Sequence, residues 1–340
     1  MKNYKKKYLA SKNLPMEVHE KSTFYGRRCL YCYEPLFESN SDFHEACNKR
    51  FFGQLKTPQL AYNLENLQEL ATQVIQSQMA VTGVQAKVSL SLYRKQEKNL
   101  TKKLTIVGLY GDYILKPPSE HYVQLPELES VTMHMAAVCG IKVVPHSLVK
   151  LQDETLCYIT KRVDRTRKGK LHMEDMCQLS ERLTEDKYKG SHEQVAKLIL
   201  KYSSSPLLDV SNFYEQVLFS FFTGNTDMHL KNFSLLEKEG QGLNLCPAYD
   251  LVPTALVNET DTEELALTLN AKKRKLKYAD FLAAFENGGL NKKVLDNTLE
   301  LFLYAKPEML TVLEKSFVSD EYKMKYAVLI ESRYKQLGLK

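Results

Sequence analysis

The stretch Phe221–Leu236, FFTGNTDMHLKNFSLL, constrains this chain more than any other. An apolar run (Val217, Leu218, Phe219, Phe221, Phe222) leads into it and a second, Phe233–Leu236, leads out. The pattern predicts a buried helix, a polar loop and a strand, so the loop is held between two core elements where side chains can converge on a ligand. Asp227 and Asn232 stand in that loop at a D-x-x-x-x-N spacing, and the pair Tyr249-Asp250 follows downstream. Phosphoryl transfer needs such a set: one carboxylate orients the attacking hydroxyl and accepts its proton, while an amide oxygen and a second carboxylate hold Mg²⁺ on the phosphates. On this reading Asp227 is the base, Asn232 and Asp250 are metal ligands, and Lys231 stabilises charge on the transferred group. The plainer reading has Asn225 and Asp227 capping a turn and His229 at the surface.

The rest of the chain is compatible with an enzyme of two lobes. It has 340 residues, and 44% apolar residues supply material for a core of that size. No apolar run is long enough to predict a membrane span. The start, MKNYKKKYLASKN, is basic and lacks the apolar centre of a secretory signal, which predicts a basic arm. Net charge +6 permits an anionic ligand such as ATP without arguing for DNA binding. Seven scattered cysteines, an odd number, fit a reducing cytoplasm better than a disulfide framework.

Periodicity divides the chain into a basic arm (1–23), a Cys/His-rich segment (24–53), a small β-rich lobe (54–165) and a larger helical lobe (166–340). Helices are expected at about 60–78 and 127–139, the latter closed by Gly140, with strands at about 88–93, 113–115, 143–150 and 155–161. Beyond these, helices are expected at 192–203, 211–224, 278–287, 291–304, 306–318 and 320–336, with strand-like material around 233–250. The fold class is therefore α+β, a small β-rich lobe before a larger helical one, which is the division of labour of a two-lobed, protein-kinase-like fold and is shared by many other α+β enzymes.

Three further groups carry chemistry. Val81-Thr82-Gly83-Val84-Gln85-Ala86-Lys87 precedes a strand, and a glycine followed by a lysine suits close approach to phosphate oxygens. It lacks the second glycine and the Gly-Lys-Ser/Thr ending of a Walker loop, and an ordinary turn is the alternative. Lys116 ends the run Tyr113-Ile114-Leu115-Lys116, from which a lysine can reach the α- and β-phosphates, with Glu127 or Glu129 on the next helix as its partner; a solvated strand end is the alternative. Cys29, Cys32, His44 and Cys47 form two close pairs suited to tetrahedral Zn²⁺, although H-x2-C is shorter than finger spacing; reduced cysteines beside a chance histidine are the alternative. Cys139, Cys157, Cys177 and Cys246 sit in apolar patterns and are expected in the core.

With TGVQAK (82–87), ILKPP (114–118), KRVDR (161–165), LHMEDMCQ (171–178), GNTDMHLKN (224–232) and PAYDLV (247–252) in this order, the chain resembles the HipA-type serine/threonine kinases of bacterial toxin–antitoxin systems from about residue 75 onward. The resemblance implies a phosphate loop over Thr82, Gly83, Val84, Gln85, Ala86 and Lys87, with Lys116 and Glu129 paired at the α/β-phosphates. It implies an adenine hinge at Lys161, Arg162 and Val163, a catalytic Asp227, and nucleotide and metal contacts from His229, Leu230, Lys231 and Asn232. Tyr249 and Asp250 would complete the ATP–Mg²⁺ site. Family members of the long form carry an N-terminal subdomain before this loop, which makes the chain more similar to the short HipT-type toxins. In those, a separate HipS-like protein supplies the missing piece. A regulatory serine of the family is replaced here by Ala80, so Thr82 becomes the leading site for autophosphorylation.

The resemblance implies a cytoplasmic kinase acting on a protein serine or threonine, by analogy on an aminoacyl-tRNA synthetase. It also implies neutralisation by a HipB-like helix-turn-helix antitoxin, through which any DNA contact would be indirect, and no membrane partner. A catalytically silent pseudokinase or scaffold is the competing reading, motivated by Ala80 and the unusual N-terminus. A third makes the basic arm and residues 24–53 a nucleic-acid-binding module.

Overall fold

Lys116 and Asp250 meet because two pieces of backbone far apart in sequence are pinned to each other. The computed structural model describes residues 27–37, 41–67, 69, 87–93, 103–107, 111–166, 168–238, 240–258 and 260–339. The basic arm 1–23, Ala80, the Val81–Ala86 stretch and most of the helix expected at 60–78 lie outside them, although 64–67 is helical.

The first lobe is a six-stranded sheet built from β1 (Gln59–Leu60), β2 (Val88–Tyr93), β3 (Lys103–Ile106), β4 (Tyr113–Lys116), β5 (His146–Lys150) and β6 (Leu156–Lys161). Its order is β1-β3-β2-β4-β6-β5, and every pairing is antiparallel except β1 with β3. In β4 the apolar side chains of Tyr113 and Leu115 are buried, which fixes the register of Leu115 against Ile159 and of Lys116 against Tyr158. One-residue slippage would turn the buried face to solvent.

Two helices cover this sheet. Helix α1 (Glu45–Phe52) stops at Gly53, whose left-handed φ of 70° suits a residue without Cβ, and it sends Phe51 and Phe52 against Tyr113. Helix α2 (Leu125–Val138) begins with Pro126 in its first turn and is closed by Gly140 at φ 85°. It is apolar nearly all round because it is sandwiched between β5, β6 and the later helix α8. The Cys/His-rich segment is distinct in composition but not in packing, since Cys29, Leu30, Tyr33 and Phe43 belong to the same core as the sheet.

Small strands follow: the pair β7 (Arg165–Thr166) and β8 (Gly169–Lys170), then β9 (Met173–Asp175), which joins β10 (Ser234–Lys238) and β11 (Gly242–Leu245) in a second sheet. The short α3 (Met176–Leu179) starts with a capping box from Asp175 and Gln178. Thereafter α4 (His192–Tyr202), α5 (Pro206–Thr223), α6 (Thr254–Val257), α7 (Tyr278–Asn287), α8 (Lys292–Lys315) and α9 (Asp320–Gln336) form the helical lobe. Helix α5 is its axis: Phe213, Tyr214, Val217, Leu218, Phe219, Phe221 and Phe222 are all buried, each contributing about 1.5–3 kcal/mol. It ends at Gly224 (φ 70°), where a Cβ would lie 2.6 Å from Leu329, so the polar loop is launched at a point only glycine fits.

One expected boundary is absent. The helices predicted at 291–304 and 306–318 are a single helix, with Pro307 inside it. Proline costs a mid-helix hydrogen bond and about 3 kcal/mol. The buried stripe Leu295, Leu299, Phe302, Met309 and Leu313 runs past it on both sides and outweighs that cost.

Candidate functional site

Four segments converge between the sheet and helix α5. The turn after α5 is shaped by Asn225, whose Oδ1 accepts from the Asp227 amide (3.1 Å) and whose Nδ2 donates to the Asp250 carbonyl (3.4 Å). The side-chain Nδ2 of Asn232 donates to the Asp227 carbonyl (2.9 Å), so the backbone of Asp227 is held from both sides. Thr226 adds a lock: its hydroxyl donates to Asp261 (2.7 Å) and its backbone amide donates to the Thr254 hydroxyl oxygen (2.7 Å). Asn225 therefore caps the turn as the plainer reading had it, whereas the Asp227 carboxylate is left for other work: its Oδ1 accepts from the Tyr188 hydroxyl.

Asp250 arrives from the other side. Ala248 pairs by backbone with Lys142 (2.7 Å) and Val144 (3.0 Å), on the connection between α2 and β5, which fixes the backbone two residues before Asp250. Asp250 itself has a left-handed φ of 56°, a strained geometry for a residue with a Cβ and a frequent mark of a functional position. Tyr249 stabilises this turn by donating to the Lys231 carbonyl (3.0 Å).

The charges cluster on Lys116. Its ammonium, 4% exposed, donates to Glu129 Oε1 (2.6 Å) on α2 and to Asp250 Oδ1, and lies 5.4 Å from the Tyr158 ring centre. Lys87 donates to the other Asp250 oxygen at 3.0 Å. Burial works against the Lys116 charge, but the Asp250 and Glu129 carboxylates outweigh it and hold the ammonium above its ordinary value. Burial also disfavours the Asp250 carboxylate, and the two lysines reverse this and keep it well below the usual carboxylate range. Glu129 goes the other way: burial pushes it up to about 7 against the pull of Lys116, and its Oε2 has no hydrogen-bond partner among the described residues. Of the two expected partners it is Glu129, not Glu127, that reaches Lys116.

His229 is buried rather than at the surface, with its ring edge-on to Tyr188 at 5.0 Å. Burial brings its pKa down to about 4, so the imidazole is neutral near pH 7. Leu230 is buried, and its amide donates to the Lys187 carbonyl (3.1 Å). Lys231 is engaged by Asp175 Oδ2 at 2.7 Å, a partner the sequence reading did not name. Register explains the pairing, since Ser234 of β10 lies opposite Asp175 of β9.

At the proposed hinge, the Lys161 amide donates to Pro145 O (2.8 Å) and the Arg162 amide to Asp112 O (2.8 Å). Arg162 chelates Asp164 through Nε (3.0 Å) and Nη2 (2.9 Å), and Val163 is half-buried. Of the glycine loop only Lys87 lies within the described residues. Tyr188 is another residue missed, since nothing in the sequence links it to Asp227 across 39 positions, and Asn225, expected only as a turn cap, also reaches the Asp250 carbonyl. The Cys/His group is also gathered: Cys29, Cys32, His44 and Cys47 bring their ligand atoms within 4.8 Å of one another.

An Asp250 carboxylate held by two lysines, with the Asn232 carboxamide anchored on the neighbouring loop, offers oxygen donors and cations of the kinds that suit a hard cation and a polyphosphate. Comparison with known proteins bears on the family and the fold. The model of the HipA-like C-terminal domain matches residues 79–307. Y4dM of Sinorhizobium fredii, a kinase by name, is 30% identical over 234 residues, which cover 64% of this chain and 56% of that protein. The chain thus spans little more than half that relative's length. A chain of the Shewanella oneidensis HipA–HipB–operator DNA complex superposes with a TM-score of 0.64 at 20% identity, covering 79% of this chain and 71% of that one. The Helicobacter pylori proinflammatory kinase CtkA superposes at 0.52 with 17% identity, covering 73% and 93%. The architecture is the two-lobed, kinase-like α+β fold.

Proposed function

The chain belongs to the family of the HipA-like C-terminal domain, and from that premise we propose that it is an ATP-dependent serine/threonine protein kinase of the HipA toxin type. The observation that carries the reading is the Lys116 ammonium shared between Glu129 and Asp250, with Asp227 and Asn232 tied to Asp250 through Asn225. Lys116 and Lys87 would bind the phosphates, the Thr82–Lys87 loop would cover them, and Lys161, Arg162 and Val163 would border the adenine. Asn232 and Asp250 would hold Mg²⁺, which when bound neutralises charge on the phosphates.

Asp227 accepts the proton of a serine or threonine hydroxyl as its oxygen bonds to the γ-phosphorus. The bond from that phosphorus to the β-bridging oxygen breaks, and ADP departs. Lys231 stabilises the transferring group from a position set by Asp175. The neutral His229 walls the catalytic loop and contributes no charge.

By resemblance the substrate would be a cytoplasmic protein, an aminoacyl-tRNA synthetase being the family's example. The operator-DNA complex of the Shewanella relative favours a HipB-like antitoxin as partner, with a HipS-like protein as a second candidate. Incubating the purified chain with γ-labelled ATP, Mg²⁺ and bacterial lysate should place label on serine or threonine of a discrete protein. Labelling no higher than background would leave only a nucleotide-binding scaffold.

Tyr188 tests the geometry at the base. Its hydroxyl holds the Asp227 oxygen that a substrate hydroxyl needs. Tyr188→Phe should therefore raise kcat/KM for the protein substrate by about 2- to 10-fold, the worth of one competing hydrogen bond. An equal or lower value in steady-state assays would mean that Tyr188 assists Asp227 instead.

A further inference from the structure

We propose that Cys29, Cys32, His44 and Cys47 form a structural zinc site that fastens the N-terminal knuckle to helix α2. Three sulfurs and one ring nitrogen lie within 4.8 Å of one another. His44 Nδ1 is 3.4 Å from Cys32 Sγ and 3.8 Å from Cys47 Sγ. A tetrahedron with Zn–S near 2.3 Å and Zn–N near 2.0 Å has S···N edges of about 3.5 Å and S···S edges of about 3.8 Å, so the four groups need little movement to close on a metal.

The surroundings select the ligand atoms. His44 Nε2 lies 2.9 Å from the Pro35 carbonyl, which takes the ring proton and leaves Nδ1 as the lone-pair donor toward the sulfurs. All three thiols are free. The backbone between the first two is a tight knuckle: the Tyr33 amide returns to Cys29 O and the Cys29 amide to Glu34 O, both at 2.9 Å, with Tyr33 left-handed at φ 64°. Reduced cysteines beside a chance histidine would account for the burial of Cys29. They do not account for an imidazole whose far nitrogen is anchored while its near one enters a group of three sulfurs.

What such a metal would hold is visible in the knuckle's other contacts. Leu30 O accepts from the Leu148 amide (3.2 Å) and the Ser147 hydroxyl (3.1 Å) of β5. Tyr31 O lies 2.7 Å from His134 Nε2, Tyr33 stacks on His134 at 4.3 Å, and the Tyr33 hydroxyl bonds Ser130 (2.7 Å). Ser130 and His134 belong to α2, and Ser130 follows Glu129 in the chain. Closed Cys₃His centres contribute folding energy directly. Metal at this point would therefore stiffen the helix that presents Glu129.

Full-length protein, purified without added metal, should carry about one zinc per chain by elemental analysis. Replacement by Co²⁺ should give the intense visible bands of tetrahedral thiolate coordination. Cys47→Ser should lose most of the zinc, and amide exchange in α2 should quicken relative to wild type. Should Cys47→Ser fail to fold, His44→Cys keeps a closed four-sulfur set and should retain both zinc and α2 protection. Folded wild-type protein without stoichiometric zinc, or with iron in its place, overturns the assignment. Unchanged α2 exchange in a zinc-free, folded Cys47→Ser chain overturns the fastening role.

Discussion

Asp227→Asn should lower phosphoryl transfer by about 10²- to 10⁴-fold, the range a positioned base supplies, while leaving ATP affinity within about twofold. The two halves of that expectation have separate origins. The bonds that shape the loop use the Asp227 amide and carbonyl, to Asn225 and Asn232, and an asparagine backbone makes the same ones. The carboxamide oxygen still accepts from Tyr188. What disappears is the capacity to take a proton. The groups that would bind nucleotide, Lys116, Glu129, Lys87 and Asp250, make their ion pairs with one another and none with Asp227. Initial rates with protein substrate and calorimetric ATP titration separate the two effects. Transfer at the wild-type rate would remove Asp227 from the mechanism. A parallel loss of binding would mean that it belongs to the nucleotide site. Comparing the phosphoproteins of cells expressing wild type and this variant would also identify the substrate.

What the sequence revealed of this site follows the range of the forces involved. Short-range signals were legible: the apolar entry of α5, the strand leading to Lys116 and Gly140 closing α2 each depend on a few neighbouring residues. The same locality misled between 304 and 306, where two helices were expected, because a buried stripe spread over the whole of α8 carries it through Pro307. Pairings across distant segments had no local signature. One Asp175 carboxylate oxygen caps α3 by accepting from the Gln178 amide. The other oxygen's bond to Lys231 exists only because β9 and β10 are in register. The choice of Glu129 over Glu127 likewise depends on which face of α2 meets the sheet, and an α2 that is apolar nearly all round does not specify that face by pattern.

The Lys116 cluster carries two carboxylates that respond to pH in opposite ways, and Lys116→Met should expose the difference. Methionine matches the length of the stem but leaves Glu129, 1% exposed, without its counter-charge. Glu129 is raised in the folded protein from 4.5 to about 7, so its contribution to stability is fully present below pH 4.5 and is lost as pH climbs to about 7. Without Lys116 that pKa moves higher still, and the loss continues past pH 7 at about 1.4 kcal/mol per pH unit. Asp250 is depressed, so its contribution stands above the ordinary carboxylate value and fades only as pH falls. Weakening it therefore costs a similar amount at every pH from 7 to 9. The Lys116 ammonium is raised, and its own contribution fades only above 10.5. Urea denaturation should show a deficit for Lys116→Met that grows by about 2–3 kcal/mol between pH 7 and pH 9. In Lys116→Met/Glu129→Gln the growth should vanish, because the amide has no proton to lose, while the pH-independent part remains. Equal growth in the single and double variants would place the titrating group elsewhere and undo the assignment of Glu129 as the strained member of the pair.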